Sequence, residues 1–188
     1  TWGHDFRPEY AQLHTLRNQI EKAPIIALTA TADKNTRRDI AEKLKLRDPQ
    51  IFISSFDRPN LSLTVLPGQE KMRKIESFIR LRPRQAGIVY CLSRKGTESL
   101  ANKLQESGYS AAFYHAGMTN EARMRVQDAF INDEVEIVCA TIAFGMGIDK
   151  SNVRWVIHYN LPKNMESYYQ EIGRAGRDGL PSDTLLLY

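Results

Sequence analysis

The sequence predicts an α/β fold, a parallel sheet with helices on both faces. Short apolar runs recur from about residue 87 onward. Stretches with one apolar stripe at helical spacing separate them. Each of the first loops after a run opens on hydroxyl, basic or glycine residues, the usual content of a ligand-binding sheet edge.

In chain order, 24–29 is a strand candidate, 35–46 a helix with Ile40 and Leu44 stacked, and 50–54 a second strand candidate. Together they make one βαβ unit, which has two open sheet edges and too little core to stand alone. It reads as a piece of something larger. The segment Phe56-Asp57-Arg58-Pro59-Asn60 is the expected boundary, because Pro59 disfavours helical backbone at Arg58. Further strands are expected at 87–92, 111–114, 136–140, 153–158 and 184–188. A helix over 97–107 places Leu100 and Leu104 one turn apart, and a second over 121–131 aligns Ala122, Val126, Ala129 and Phe130. A third follows Pro162, with Asn164 as its cap and Tyr168, Tyr169 and Ile172 as its apolar contacts.

Composition narrows the class. The 188 residues carry 26 Lys plus Arg against 22 Asp plus Glu, a formal net charge of +4, which permits an anionic partner. With 42% hydrophobic and 26% charged residues the chain reads as globular rather than disordered. No apolar run reaches the roughly 18 residues of a membrane span, and the N-terminus has no signal-peptide pattern. The two cysteines, Cys91 and Cys139, lie inside apolar runs and read as buried, reduced thiols of a cytoplasmic protein. Neither they nor the four histidines, His4, His14, His115 and His158, have metal-ligand spacing, so no metal site is expected.

Three loops deserve chemical scrutiny: Ser93-Arg94-Lys95, His115-Ala116-Gly117, and Thr141 through Gly147. Hydroxyls, cations and the bare backbone N–H of glycine are groups that bind phosphodiester oxygens. Any one of them could equally be a helix cap or a chain turn; three on one edge suggest an anion-binding face. The densest chemistry is Gln170-Glu171-Ile172-Gly173-Arg174-Ala175-Gly176-Arg177-Asp178-Gly179. If the helix continues, Arg174 and Arg177 project from one face, and the interleaved glycines allow another backbone or a phosphate to come close. Arginine's planar, permanent charge suits a developing phosphoryl charge. By contrast, Asp133-Glu134-Val135-Glu136 precedes its apolar run where a magnesium-binding box would end one, so it reads as a solvated turn. No Gly-Lys dipeptide occurs, so the phosphate loop of nucleotide hydrolases is missing and the arginines look like half of a nucleotide site.

These stretches resemble the RecQ family of ATP-dependent DNA helicases, superfamily 2 motors with two RecA-like lobes. Trp2 to Pro8 resembles the family's aromatic-rich loop, Ala27 to Ala32 motif III, Tyr90 to Arg94 motif IV, Thr141 to Lys150 motif V, and Gln170 to Arg177 motif VI. The likeness implies that 1–57 is the end of the first lobe and 58–188 the second. It implies Arg177 as the arginine finger on the γ-phosphate, Arg174 as a second phosphate or lobe-bridging contact, and Gln170 as a coupling residue. Gly147 and Asp149 would join the nucleotide site. Trp2, Phe6 and Arg7 would sense single-stranded DNA, a stacked base being worth about 1–3 kcal/mol. Ser93, Arg94, His115 and Thr141 would grip the DNA backbone, in a salt-sensitive and sequence-independent manner. ATP and Mg2+ would be bound mainly by first-lobe motifs not in this sequence. The family's zinc-binding and winged-helix regions are likewise outside it, so the 188-residue chain is expected neither to hydrolyse ATP nor to unwind DNA by itself. The expected location is the cytoplasm, at the nucleoid if the source is bacterial. Two alternatives stay open: a DEAD-box-like RNA helicase lobe, although Thr29-Ala30-Thr31 and Gln170 depart from its Ser-Ala-Thr and His, and a non-catalytic nucleic-acid-binding module.

Overall fold

A computed structural model describes residues 15, 23–29, 33–53, 57–145 and 148–188. The chain divides into two compact units, Thr1–Phe56 and Asp57–Tyr188.

In the first unit, helix α1 spans Lys34–Lys43 and begins where the Asp33 carboxylate accepts the Thr36 N–H at 2.7 Å. It ends earlier than the expected 46, because Lys45 takes a left-handed conformation with φ 49°. The strands expected at 24–29 and 50–54 do not form over the described residues 24–29 and 50–53. A strand exists only as one rung of a ladder, and neither segment is a strand of the sheet. Leu28 and Phe52 are 90% and 92% exposed.

The second unit is built on a six-stranded sheet in the order β1-β6-β5-β2-β4-β3, every pair parallel. Its elements are β1 (Leu61–Leu66), α2 (Lys71–Arg80), β2 (Gly87–Tyr90), α3 (Arg94–Glu106), β3 (Ala111–Tyr114), α4 (Asn120–Ile131), β4 (Ile137–Ala140), β5 (Trp155–His158), α5 (Met165–Ile172) and β6 (Ser182–Leu187). The expected α/β parallel sheet with helices on both faces is the fold observed. Alternate residues along each central strand serve two separate cores. On one face Ile75 and Ile79 of α2 and Leu100 and Leu104 of α3 pack over Val89, Cys139, Trp155 and Ile157. On the other, Phe130 of α4 and Tyr168 and Ile172 of α5 pack over Ile88, Val138 and Val156. Burial on both faces is why β2, β4 and β5 are continuous apolar runs rather than alternating ones.

Two packing details set the sheet's centre. Gly87 opposes Trp155 across the β2–β5 ladder. A methyl group on Gly87 would lie 2.0 Å from the indole ring, so the bare glycine lets the tryptophan lie flat across β2. Three of the helices that follow strands, α3, α4 and α5, start on side-chain caps: Ser93, Thr119 and Asn164 accept the N–H groups of Gly96, Ala122 and Ser167.

The sequence reading did not anticipate β1 and α2. Helix α5 also stops at Ile172, with Gly173 as its C-cap, so Arg174 and Arg177 do not extend a helix. They sit in the turn that follows it. Among the described residues no helix is long and apolar enough to cross a membrane.

Candidate functional site

The 170–179 stretch precedes β6, and its turn packs at the amino ends of β5 and β6, where the Gly176 N–H donates to the Val153 carbonyl. Because every strand runs the same way, the loops that open at Ser93, His115 and Thr141 emerge on the carboxyl edge of one sheet. Tyr90, Ala140 and His158 end the three central strands there in register. The Tyr90 hydroxyl donates to the Phe144 carbonyl at 3.1 Å. Burial pushes this phenol well above its usual pKa, so it stays protonated and can donate. Phe144 is fully buried between Tyr114 and Phe130, which fixes the loop that follows β4 onto the core.

The two arginines converge on that same loop from the turn after α5. Arg174 donates through Nη1 to the Gly145 carbonyl. Its Nε is buried and has no hydrogen-bond partner among the described residues. Arg177 donates through Nη1 to the Ile148 carbonyl at 3.0 Å. Its side chain is 38% exposed and lies 4.0 Å from the Asp149 carboxylate, which is 100% exposed. Neither arginine is consumed by a buried carboxylate. Arg174 is held against backbone, while Arg177 keeps part of its guanidinium on the surface.

Beneath the turn, His158 and Glu171 form a buried pair, Nε2 to Oε2 at 2.6 Å, joining the end of β5 to the last turn of α5. His158 also stacks on Tyr90 and meets Tyr168, with ring centroids 5.5 Å and 5.0 Å away. Glu171 therefore serves His158 and not Arg174. The far end of the 141–150 loop is anchored by Lys150, buried, whose Nζ donates to the Ile131 carbonyl at 3.2 Å and to Asp133 at 2.7 Å. Asp133, expected to be merely part of a solvated turn, thus holds this loop onto the C-terminus of α4. Asp178 likewise does more than turn the chain: it takes both of its oxygens to Arg154, and that contact holds its carboxyl below the usual range.

Of the remaining expected residues, Ser93, Arg94, His115 and Thr141 follow strands on the carboxyl edge, with varied freedom. Ser93 spends its hydroxyl on the cap of α3 and is exposed, as is Arg94. Arg94 reaches toward the next loop: its Nη1 lies 2.9 Å from where a Cβ on Gly117 would stand. His115 is buried, its Nδ1 accepting the Gly117 N–H at 3.2 Å and its Nε2 lying 2.8 Å from Glu98. With Nδ1 accepting, Nε2 carries the proton and donates to the carboxylate. Thr141 accepts the Ala143 N–H at 3.4 Å. Gln170 is exposed on α5, 3.5 Å from Glu166, too long a contact to fix it. Trp2, Phe6, Arg7 and Gly147 lie outside the described residues. Among the described residues no group of three or more His, Cys, Asp or Glu side chains could hold a metal ion. Cys91 is buried, and burial pushes its thiol up to about 12.

Sequence reasoning did not assign roles to Glu171, His158 and Lys150. The His at the end of an apolar strand and the Lys closing the loop were the available signals, but their partners are 13 and 17 residues away.

A six-stranded parallel sheet with helices on both faces, hydroxyl and basic residues on its carboxyl-end loops and two arginines in the turn after α5 define an α/β lobe with groups suited to anions. The chain belongs to the helicase conserved C-terminal domain family, whose pattern matches residues 70–179. It is 52% identical over 187 residues to the ATP-dependent DNA helicase RecQ of Pasteurella multocida, a match covering 100% of this chain and 30% of that protein. It is also 50% identical over 191 residues to the RecQ-like DNA helicase BLM of Xenopus laevis, covering 100% of this chain and 14% of that one. The chain therefore spans about a third or less of the length of these relatives. In fold it matches the structure of S. cerevisiae Dbp5 bound to RNA and ADP BeF3, with a TM-score of 0.73 at 18% identity, over 98% of this chain and 50% of that one.

Proposed function

We propose that residues 58–188 form the second RecA-like lobe of an ATP-dependent DNA helicase and that 1–57 is the end of the first. The observation that carries this reading is Arg177, held by the Ile148 carbonyl yet 38% exposed. A guanidinium restrained on one side and open on the other is suited to meet a phosphate presented by a facing surface. In this reading Arg177 is the finger on the γ-phosphate of ATP, Arg174 fixes the loop beside it, and Asp149 borders the nucleotide. In the same reading Gln170 couples lobe closure to the nucleotide and Gly147 contributes to the nucleotide site. The lobe has no Gly-Lys phosphate loop, so nucleotide and magnesium would be held mainly by the other lobe.

Lobe closure on ATP brings Arg177 to the γ-phosphate, where it stabilises the charge that develops during transfer. Hydrolysis removes that attraction and the lobes part. Ser93, Arg94, His115 and Thr141 would hold the DNA backbone of a strand moved by this cycle, with Trp2, Phe6 and Arg7 coupling strand occupancy to hydrolysis. Because His115 is paired with Glu98 and Ser93 caps α3, Arg94 is the side chain on the carboxyl edge readiest to take a phosphate. Contacts to phosphate and sugar make binding salt-sensitive and sequence-independent. A role in DNA repair or recombination, within the cytoplasm or at the nucleoid, is part of the same proposal. DNA is preferred over RNA because the relatives at about 50% identity are named DNA helicases.

The test is ATP hydrolysis by the full-length parent protein with single-stranded DNA or RNA added in turn. The reading predicts strong stimulation by DNA, weakening steeply with salt, and no hydrolysis by the 188-residue chain alone. Stimulation by RNA in preference to DNA, or turnover by the isolated chain after contaminants are excluded, contradicts it.

A further inference from the structure

Resting on the assignment of Arg177 just given, we propose that Arg58, with Asn60 beside it, is a positioning residue for the Arg174–Arg177 turn. In the sequence these two residues belong to what reads as a boundary. In the structure they gather the backbone of the turn. Arg58 donates through Nη2 to the carbonyls of Ala175 at 3.0 Å and Gly176 at 2.8 Å, with a longer contact from Nη1 to Gly173 at 3.5 Å. Its Nε faces Asn60 Oδ1 at 3.4 Å, which orients the amide so that Nδ2 donates to Gly176 and Leu180, both at 3.0 Å.

The physical demand for such a clamp is plain. Helix α5 ends at Ile172, and the carbonyls at and beyond a helix end have no intrahelical donor and carry partial negative charge. A turn containing Gly173 and Gly176 has little intrinsic rigidity. One guanidinium from 117 residues earlier in the chain satisfies that end and fixes its path. The fit is tight: Gly176 has φ +57°, and a methyl group on it would stand 2.4 Å from the Asn60 amide nitrogen and 2.8 Å from the Leu180 carbonyl. Both arginines of the turn flank the clamped carbonyls. Arg58 itself points its donors into backbone, so it acts on the reaction through Arg177. It stands two residues after Phe56, the last residue of the first unit, so the point where the chain enters the second unit bears directly on the turn that carries the finger.

The experiment compares the full-length protein with its Arg58→Gln, Arg58→Lys and Asn60→Ala variants. Steady-state ATP hydrolysis at saturating single-stranded DNA is measured together with DNA affinity and thermal unfolding. A displacement of about 1 Å in a catalytic group can cost on the order of 100-fold. The proposal therefore predicts that Arg58→Gln lowers kcat by about 10-fold or more, with KM for ATP and Kd for DNA changed by about twofold or less. Arg58→Lys recovers only part of the loss, because an ammonium cannot span two carbonyls as a planar fork does. If Arg58→Gln does not fold, Asn60→Ala carries the test with the same split. Variants that lose thermal stability but turn over at the wild-type kcat overturn the proposal. An Arg177→Ala control separates the two claims: if it keeps full turnover, the assignment of the finger fails. If it is inactive while Arg58→Gln and Asn60→Ala turn over normally, the positioning role alone fails.

Discussion

Arg174 and Gly145 are in close contact: Nη1 donates to the glycine carbonyl, and a methyl group on Gly145 would stand 2.2 Å from Nη2. This contact joins the turn after α5 to the loop after β4. The two stretches that resemble helicase motifs VI and V are thus fastened together through one guanidinium and one bare backbone position.

That relationship predicts the effect of Gly145→Ala. The methyl group would stand 2.2 Å from Nη2, so the guanidinium must shift away from the carbonyl that it holds. In the full-length protein the variant should lose about 10-fold or more in DNA-stimulated kcat while DNA affinity barely moves. An unchanged kcat would mean that this contact has no bearing on turnover.

Glu171 predicts a stability effect of a different kind. Glu171→Ala leaves His158 buried without the one hydrogen-bond acceptor it has among the described residues, a loss worth about 1–3 kcal/mol. Glu171→Gln keeps an oxygen at the same place and should cost clearly less. Urea unfolding of the 188-residue chain checks this, and equal losses from the two variants would show that the hydrogen bond contributes nothing.

The sheet itself was largely legible, and the reason is visible in particular strands. Residues 87–90, 137–140 and 155–158 are buried on both faces, so their apolar runs stand out in the sequence. Strand β1 was missed because only its ends are even half-buried, and Leu63 and Val65 stay 56% and 55% exposed; an edge strand has no unbroken apolar run to declare it. The opposite error occurred at 24–29 and 50–53, where apolar residues without ladder partners do not make strands. Within the site, the arginine pair was legible from residue type and spacing. Its partners were not, because Gly145 and Ile148 offer backbone carbonyls, which any residue possesses. Arg58 was hidden for a related reason: beside Pro59 it reads as a boundary, and its acceptors are more than a hundred residues distant.

Acid sensitivity follows from Asp183. Burial raises its pKa, but hydrogen bonds from Ser62 and Arg82 and the Arg82 charge outweigh that, and the carboxyl is held below its ordinary value of 3.8. A depressed folded value means that the ionised form stabilises the fold above the unfolded pKa, and that the contribution fades as pH falls through the folded value. The stability difference between the wild-type chain and Asp183→Asn should be flat above about pH 5 and narrow below about pH 4. Urea midpoints across that range test it, and a difference that does not change with pH would contradict it.

The central claim is that Arg177 meets a triphosphate held by another lobe. The most direct measurement is DNA-stimulated ATP hydrolysis by the full-length Arg177→Ala variant, alongside its affinity for single-stranded DNA. An arginine finger is worth on the order of 10³-fold or more in turnover, so kcat should fall by about that factor while the DNA Kd stays within about twofold. Turnover within a few-fold of the wild-type rate would contradict the account.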